Sequence, residues 1–274
     1  MDGTMYGLSG LQLWGLMVTV AGLGGLVIYF GLGTWLYRRY YINRRDEATE
    51  WKIQHKRWQP DNKHRWGIRV AAGNMLIGGL ISGSFAFYVI NGGYSALYFD
   101  TETYGVVWTI VSTVLMFLAM EAMAYYTHRM LHGKWIFRYV HRWHHRCVAT
   151  TPYNTVTMHP AEFIILQTVT FLPIFVLPVH YVVFMALLVY VLVFNILDHS
   201  GIKMSHWLPW HSTSHFHDDH HVYFHCNFGQ NLAFFDKFHG THRRENRRYG
   251  ENVYGGKGAP VDAADRKLPD FVEY

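Results

Sequence analysis

The sequence predicts an all-α integral membrane protein with about four transmembrane helices. The last of these elements is a hairpin with two helical legs. A cytosolic helical cap is expected to carry a histidine-rich dinuclear metal site. Three observations support this fold class. Half of the 274 residues are hydrophobic. Lys and Arg are absent from residues 70–127 and 147–202. Eight of the 19 histidines fall in three short clusters next to the apolar segments.

Four parts of the chain are long and apolar enough to cross a bilayer, which takes about 20 residues of helix. The first three are expected over residues 11–36, 70–90 and 106–126. The fourth is a hairpin with legs over residues 161–177 and 179–197, in which Pro173 and Pro178 mark the kink and the turn. The first segment is too long for the apolar part of a signal peptide, so we expect it to be retained.

The distribution of charge predicts the orientation in the membrane. Residues 38–69 hold ten cations and are predicted to be cytosolic, with an interfacial helix over residues 51–69. The loop over residues 91–105 contains Asp100 and Glu102 but no cation, so it is predicted to face outward. The histidine clusters then lie at the cytosolic boundary of the membrane. That membrane would be the endoplasmic reticulum of a eukaryote or the inner membrane of a bacterium.

This layout divides the chain into three regions. Residues 1–105 are expected to form the N-terminal membrane helices and the basic cytosolic linker, residues 106–249 the domain that carries the histidine clusters, and residues 250–274 a loosely ordered C-terminal tail. The net charge of +5 could suggest a nucleic-acid partner. No nucleic acid is predicted, because the cations flank apolar spans, as the positive-inside rule expects.

The histidine clusters are the strongest functional signal in the chain. They comprise one His-x3-His motif and two His-x2-His-His motifs: His128 and His132; His141, His144 and His145; His217, His220 and His221. On a helix, residues three or four apart share a face, whereas adjacent residues diverge by about 100°. The adjacent histidines are therefore expected to point at two different ions. Neutral imidazole suits zinc, copper and iron. The alternative is a histidine-rich surface that buffers protons.

Three further residues are candidates for the site. His199, at the end of the second hairpin leg, is a candidate ninth ligand, and His159 could be a ligand or its hydrogen-bond partner. Glu121 is an acid deep in an apolar span, two helical turns before His128. We predict that it orients a ligating imidazole; the alternative is a protonated carboxyl that bonds a neighbouring helix. The sequence does not rank the remaining histidines of this region: His206, His211, His215, His225, His239 and His242.

These residues resemble the fatty acid hydroxylase and sterol desaturase superfamily of membrane non-haem di-iron enzymes, over about residues 105–241. After the three histidine motifs, residues 227–230 and 235–241 are similar to the Asn-Tyr-Gly and Trp-Asp-Arg-x-x-Gly-Thr elements of that superfamily. Asn227 and Asp236 are thereby expected to support the metal site. Phe235 replaces the usual Trp, and Asn195 stands where fatty acid 2-hydroxylases have a histidine. The resemblance is closest to the C-5 sterol desaturases, followed by the C-4 methylsterol oxidases.

The resemblance implies O2-dependent desaturation or hydroxylation of a membrane lipid, with a sterol as the first choice and a fatty-acyl lipid as the alternative. It implies two iron ions, which zinc could replace in purified protein. Electrons would come from an external donor, either cytochrome b5 or a ferredoxin-type protein. This donor, or phospholipid headgroups, would contact a basic face: Arg129, Arg138, Arg142, Arg146, Arg243, Arg244, Arg247 and Arg248.

Two hypotheses from other classes stay open at the level of the sequence. One is a membrane metal transporter or another metal-binding membrane protein, whose ligands would be expected near the middle of the bilayer. The other is a lipid-binding relative that has lost its catalytic activity. The complete set of eight clustered histidines favours the oxidase over both.

Overall fold

The computed structural model describes residues 7–204 and 208–261, and this part of the chain is mainly helical. The α-helices are α1 (Gly10–Leu36), α2 (Ala48–Trp51), α3 (Asp61–Ile90), α4 (Gly105–Leu131), α5 (Lys134–Tyr139), α6 (Pro160–Phe171), α7 (Tyr181–Asp198), α8 (Ser214–Tyr223) and α9 (Phe234–His239). A π-helical segment, Tyr37–Ile42, continues α1. The 3-10 helices are Arg45–Glu47, His141–Arg146 and Leu172–Phe175.

Four two-residue strands complete the secondary structure of the described residues. They are β1 (Leu97–Tyr98), β2 (Val179–His180), β3 (Arg247–Arg248) and β4 (Ala259–Pro260). β1 pairs with β2 in parallel, and β3 pairs with β4 in antiparallel orientation. The first pair closes the end of the helical bundle that is remote from the histidines, and the second pair lies beyond the last histidine motif.

Four helices of the described chain are long and apolar enough to cross a membrane, which confirms the predicted fold class. They are Gly10–Ile42, Asp61–Ile90, Gly105–Leu131 and Tyr181–Asp198. The first leg of the predicted hairpin, Pro160–Phe175, is apolar but shorter. It changes to a 3-10 helix at Leu172, just before Pro173, whose nitrogen has no hydrogen to donate to the helix. The side of the membrane on which the histidines lie stays a prediction.

Two predicted boundaries are wrong. Residues 51–69 do not form a separate interfacial helix, because α2 ends at Trp51 and α3 begins at Asp61 after a break at Pro60. The polar residues 61–69 are instead the first turns of the membrane helix that continues to Ile90. In addition, α4 extends to Leu131, so His128 lies in its last turn rather than beyond its end.

The N-terminal helices pack directly against the part of the chain that carries the histidines. α1 and α3 approach closely at Gly79, where an added Cβ would lie 2.4 Å from the Cα of Gly22. The Tyr29 hydroxyl of α1 donates to the Tyr153 carbonyl at 2.7 Å. The Asn74 amide of α3 donates to the carbonyls of Val156 and Met158 at 2.8 and 2.9 Å. The irregular segment between the second histidine motif and α6 is thus held from the membrane side.

The predicted C-terminal tail is ordered at its start. Residues 250–261 belong to the described structure, and β4 at Ala259–Pro260 pairs back onto β3. The carbonyl of Glu251 accepts a hydrogen bond from the His225 ring at 2.7 Å, and its carboxylate binds Arg142 at 2.7 Å. Residues 262–274, the rest of the predicted tail, lie outside the described residues.

Candidate metal centre

Nine histidines form two adjacent pockets at one end of the helical bundle. In each pocket, one ring nitrogen from every histidine lies within 4.8 Å of the corresponding nitrogens of the others. Pocket A contains His128, His132, His141, His145 and His220. Pocket B contains His144, His199, His217 and His221. All are buried except His128, which is partly buried. The pockets are neighbours, since the His145 and His221 ring centroids are 5.0 Å apart.

The two pockets divide the histidine motifs as the expected angular separation requires. Adjacent His144 and His145 face different pockets, as do adjacent His220 and His221. The second motif is a 3-10 helix rather than the expected α-helix. Neighbouring side chains therefore diverge by about 120° instead of about 100°. His199, the candidate ninth ligand, completes pocket B, which would otherwise hold only three imidazoles.

The spacing of the ring nitrogens fits a single ion in each pocket. In pocket A, the Nε2 atoms of His128 and His141 are 3.2 Å apart, and those of His132 and His145 are 3.3 Å apart. In pocket B, the Nε2 atom of His199 lies 3.2 Å from that of His144 and 2.8 Å from that of His217. Two nitrogens about 2.1 Å from one ion are about 3.0 Å apart at a right angle and about 3.4 Å apart at a tetrahedral angle.

Hydrogen bonds at the other ring nitrogen orient these imidazoles. The Nδ1 atoms of His128, His199 and His220 donate to the carbonyls of Phe228, Asn195 and Cys226 at 2.8, 2.8 and 2.7 Å. The Nδ1 atom of His144 lies 3.3 Å from the Thr157 carbonyl. Since a carbonyl only accepts, Nδ1 carries the proton in each ring and Nε2 keeps its lone pair for a metal.

Other ring nitrogens in the pockets have no hydrogen-bond partner among the described residues. These are Nε2 of His220, Nδ1 of His145 and both nitrogens of His221. Buried polar atoms are seldom left without a partner, because the loss of hydration is costly. Burial also lowers the pKa of His145, His220 and His221 well below its ordinary value, and that of His199 to about 4. Neutral rings with free lone pairs are the state that binds a metal ion.

An unusual turn places the end of the third motif. Phe224 ends α8 with a φ of 66°, and Asn227 has a φ of 52°, values that are uncommon for residues other than glycine. The turn brings the Cys226 carbonyl to the His220 ring. The side chain of Asn227 holds the turn, since its amide donates to the Phe216 carbonyl at 2.9 Å and its oxygen accepts from the Arg243 backbone at 2.8 Å. Asn227 therefore supports the site through the backbone.

Asp236 also supports the site through the backbone rather than by contact with an imidazole. Its carboxylate accepts hydrogen bonds from the backbone nitrogens of Phe228 and Gly229 at 2.8 and 2.7 Å, and from the Thr241 hydroxyl at 2.6 Å. The carbonyl of the same Phe228 orients His128. Asp236 is thus connected to the pocket residue His128 through Phe228.

The partner predicted for Glu121 is wrong. Among the residues that the structure describes, the carboxylate contacts no imidazole and bonds no neighbouring membrane helix. Instead it accepts from the backbone nitrogens of Asn231 and Leu232, both at 3.0 Å, and from the Asn231 side-chain amide. The acid in the apolar span therefore binds a loop, 110 residues further along the chain, that passes alongside α4.

His159 does not reach either pocket. Its Nδ1 accepts from the Ala161 nitrogen at 3.2 Å and caps α6, and its ring packs edge-on against Trp143. His239 and His242 are partly buried outside the pockets, and His215 is exposed. His206 lies outside the described residues.

Two groups beside the site, Glu162 and Gln54, were missed at the level of the sequence, and a third, His225, was left unranked there. Glu162 accepts from the His141 Nδ1 at 2.6 Å, and the rule that flagged Glu121 would have flagged it as another acid beside an apolar leg. His225 lies with its Nδ1 3.0 Å from that of His132, and its Nε2 donates to the Glu251 carbonyl. Gln54 donates to both oxygens of Asp218 at 3.0 and 3.1 Å. The last two contacts leave no pattern in the sequence.

A long apolar cavity leads from the remote end of the bundle to the histidines. It has a volume of about 810 Å³ and runs between α1, α3, α6 and α7. Its remote end is lined by Ile90, Phe99 and Tyr181. Its inner end is lined by five pocket histidines, His128, His141, His144, His199 and His217. An apolar molecule in this space would bring one end to both pockets.

Comparison with known proteins supports the class that the fold and the histidines indicate. Residues 113–241 match the family model described as fatty acid hydroxylase. This matched part of the chain contains all nine pocket histidines.

Among the curated relatives, the chain is similar to sterol desaturases, as the resemblance predicts. It is 33% identical over 154 residues to a Delta(7)-sterol 5(6)-desaturase of Gibberella zeae, covering 55% of this chain and 47% of that protein. It is 31% identical over 153 residues to the lathosterol oxidase of Mus musculus, covering 54% and 51%. The chain thus spans about half the length of these relatives. No solved structure matches it.

Proposed function

We propose that this protein desaturates a sterol in the membrane with O2, at a centre of two iron ions. One observation carries the proposal: two adjacent pockets of neutral, buried imidazoles stand at the inner end of a cavity whose walls are mainly apolar. The names of the similar relatives, which are sterol desaturases and a lathosterol oxidase, support a sterol as the substrate.

Two bound iron ions would supply the activation of O2 that is needed to break an unactivated C–H bond. Overall, desaturation removes two hydrogen atoms from neighbouring carbons and reduces O2 to two water molecules, with two electrons and two protons taken from outside. The chain itself holds the nine imidazoles in place. Its apolar cavity excludes water and directs one part of the lipid toward the pockets.

The electrons would come from a separate redox protein of the cytochrome b5 or ferredoxin type. This protein would be in the cytosol or at the cytosolic surface of the membrane. The basic face predicted from the sequence supports such a contact in part. Arg142 and Arg243 are engaged by Glu251 and Asp219 at 2.7 and 3.4 Å, so their charge is partly neutralised. Arg146 lies over the rings of Trp66 and Trp143, close to the second histidine motif. The surface around Arg146 is therefore the favoured docking site.

Oxidation of a fatty-acyl chain is the alternative within the same class, and the name of the matching family supports it. A metal transporter is less well supported. Apart from the histidines at its inner end, the described wall of the cavity holds one carboxylate, Glu162, which is engaged by His141, and no thiol. A transported cation would therefore meet no free charged ligand along the rest of that wall.

The test is lipid analysis of a host that lacks its own sterol desaturase. The host expresses the wild-type chain, His144→Ala from pocket B, or the matched control His55→Ala, which changes a histidine of the linker. We expect the wild-type chain and the control to introduce a double bond into a sterol, and His144→Ala to introduce none. Altered fatty acids with unchanged sterols would favour the acyl alternative, and unchanged lipids in the presence of bound metal would refute the proposal.

A further inference from the structure

Two buried carboxylates fix the backbone on both sides of Gln230, in the loop between α8 and α9. Asp236 accepts from the nitrogens of Phe228 and Gly229 on one side. Glu121 accepts from the nitrogens of Asn231 and Leu232 on the other. Gln230 is the single residue between these two anchored pairs. The protein thus uses two buried acids from different parts of the chain to set the position of one residue.

The loop is also closely packed beside Gln230. A Cβ added to Gly229 would lie 2.3 Å from the Leu232 carbonyl oxygen and 2.9 Å from the Asp236 carboxylate. Close packing and the hydrogen bonds to Asp236 and Glu121 together hold the backbone on both sides of Gln230 in position. Such fixed positions are what a binding group requires, because little conformational freedom is lost when a ligand arrives.

The Gln230 side chain lines the inner part of the cavity and makes no hydrogen bond to any described residue. The two other amides of the wall are engaged. Gln167 donates to the Ser82 hydroxyl at 3.2 Å, and Asn195 donates to the Val191 carbonyl at 2.8 Å. Gln230 is partly buried, and its unpaired amide is available to a partner that the chain itself does not supply.

The position of Gln230 places that partner beside the metal centre. Gln230 is two residues from Phe228, whose carbonyl orients His128 of pocket A, and two residues of chain span at most about 7 Å. The amide is neutral and offers both a donor and an acceptor, which matches a hydroxyl group. The charged side chain of the described wall, Glu162, is engaged by His141, so the wall favours a neutral ligand.

We infer that the Gln230 amide binds a hydroxyl group of the lipid substrate beside the two metal pockets, with Glu121 and Asp236 as positioning residues. The inference rests on the proposed function and narrows it, because it requires a lipid whose hydroxyl lies near the oxidised carbon. A sterol carries a hydroxyl on its ring system and meets this requirement. An unsubstituted acyl chain offers no such group.

The test measures binding rather than turnover, so that it does not depend on an electron donor. Tritiated lathosterol and the same compound without its hydroxyl are bound to the purified, metal-loaded full chain. The proteins are the wild type, Gln230→Leu and the matched Gln167→Leu from the same wall. Metal content and thermal unfolding show that each variant is folded.

We expect the wild type and Gln167→Leu to bind the hydroxylated sterol about tenfold to a hundredfold more tightly than the deoxy compound, because a buried polar group loses its partner. In Gln230→Leu this ratio should fall to near one. An unchanged ratio in Gln230→Leu, no preference in the wild type, or no sterol binding would each overturn the inference. A chain that binds with the expected preference but never oxidises a sterol would instead refute the proposed function.

Discussion

The contact between Glu162 and His141 shows how single residues tune the candidate centre. The carboxylate accepts from the ring Nδ1 at 2.6 Å and both groups are buried. A carboxylate in this position fixes the ring and makes the opposite nitrogen a better ligand. Pocket A therefore contains one histidine with an anionic partner, whereas His128 and His220 donate to backbone carbonyls.

Replacing Glu162 with Leu removes this partner while every ligand stays in place. Metal affinity of the purified protein should fall about tenfold to a hundredfold, as measured by competition with a chelator. Glu162→Gln keeps an acceptor and should lose less. The exposed Glu47, which binds Arg44 at 2.5 Å, gives the control Glu47→Leu. Wild-type affinity in Glu162→Leu would show that the carboxylate has no part in the metal centre.

At the scale of elements, loops and helix ends hold the site more than the membrane helices do. The first pair of ligands comes from the end of α4, the second motif from a 3-10 helix and the third from α8. The loop between α8 and α9 is anchored to α4 through Glu121, which binds two backbone nitrogens and one amide. A carboxyl in the membrane-spanning part of α4 thus connects the span to the cap.

The variant Glu121→Leu leaves the Asn231 and Leu232 nitrogens buried without an acceptor. We expect it to lower the free energy of unfolding by about 2 to 6 kcal/mol, at about 1–3 kcal/mol for each of these two nitrogens. Glu121→Gln should be intermediate because it keeps one acceptor. Both variants should bind the wild-type amount of metal, since Glu121 contacts no imidazole. Denaturation in detergent measures the first effect, and metal loss with unchanged stability would contradict the assignment.

Close packing of α1 on α3 gives a second prediction at this scale. Gly79→Ala would place a Cβ 2.4 Å from the Gly22 backbone and should destabilise the protein by about 1–3 kcal/mol. Gly73→Ala is the matched control in the same helix, because an added Cβ there meets no atom within 4 Å. Its unfolding temperature should be unchanged or slightly raised. Equal behaviour of the two variants would show that the helices are not in the described contact.

For the whole molecule, local patterns in the sequence predict more than contacts between distant residues. The number of membrane helices follows from apolar length, and the histidine set follows from its spacing. The partners of these groups do not, because Glu162 and His141 are 21 residues apart and Glu121 and Asn231 are 110 apart. Pairing across such separations depends on how the helices pack, which periodicity does not report.

Metal removal should affect the stability of the whole chain. Without ions, several of the buried imidazole nitrogens are left unsatisfied. Bound ions stabilise a folded state by an amount that grows with the logarithm of the free ion concentration divided by Kd. At a free ion concentration of 100 times Kd, each site contributes about 2.7 kcal/mol. Chelation should therefore lower the unfolding temperature, and added ferrous iron should restore it. An unfolding temperature that is the same with and without metal would argue against two ion sites.

The central claim, that the nine histidines form two separate ion sites, is tested most directly by the metal content of the purified full chain. Elemental analysis should count iron and zinc together, because imidazole sites accept both. We predict about two ions per wild-type chain and about one in His144→Ala, which disables pocket B alone. A wild-type chain that holds one ion or none, or a His144→Ala variant that still holds two, would contradict the account.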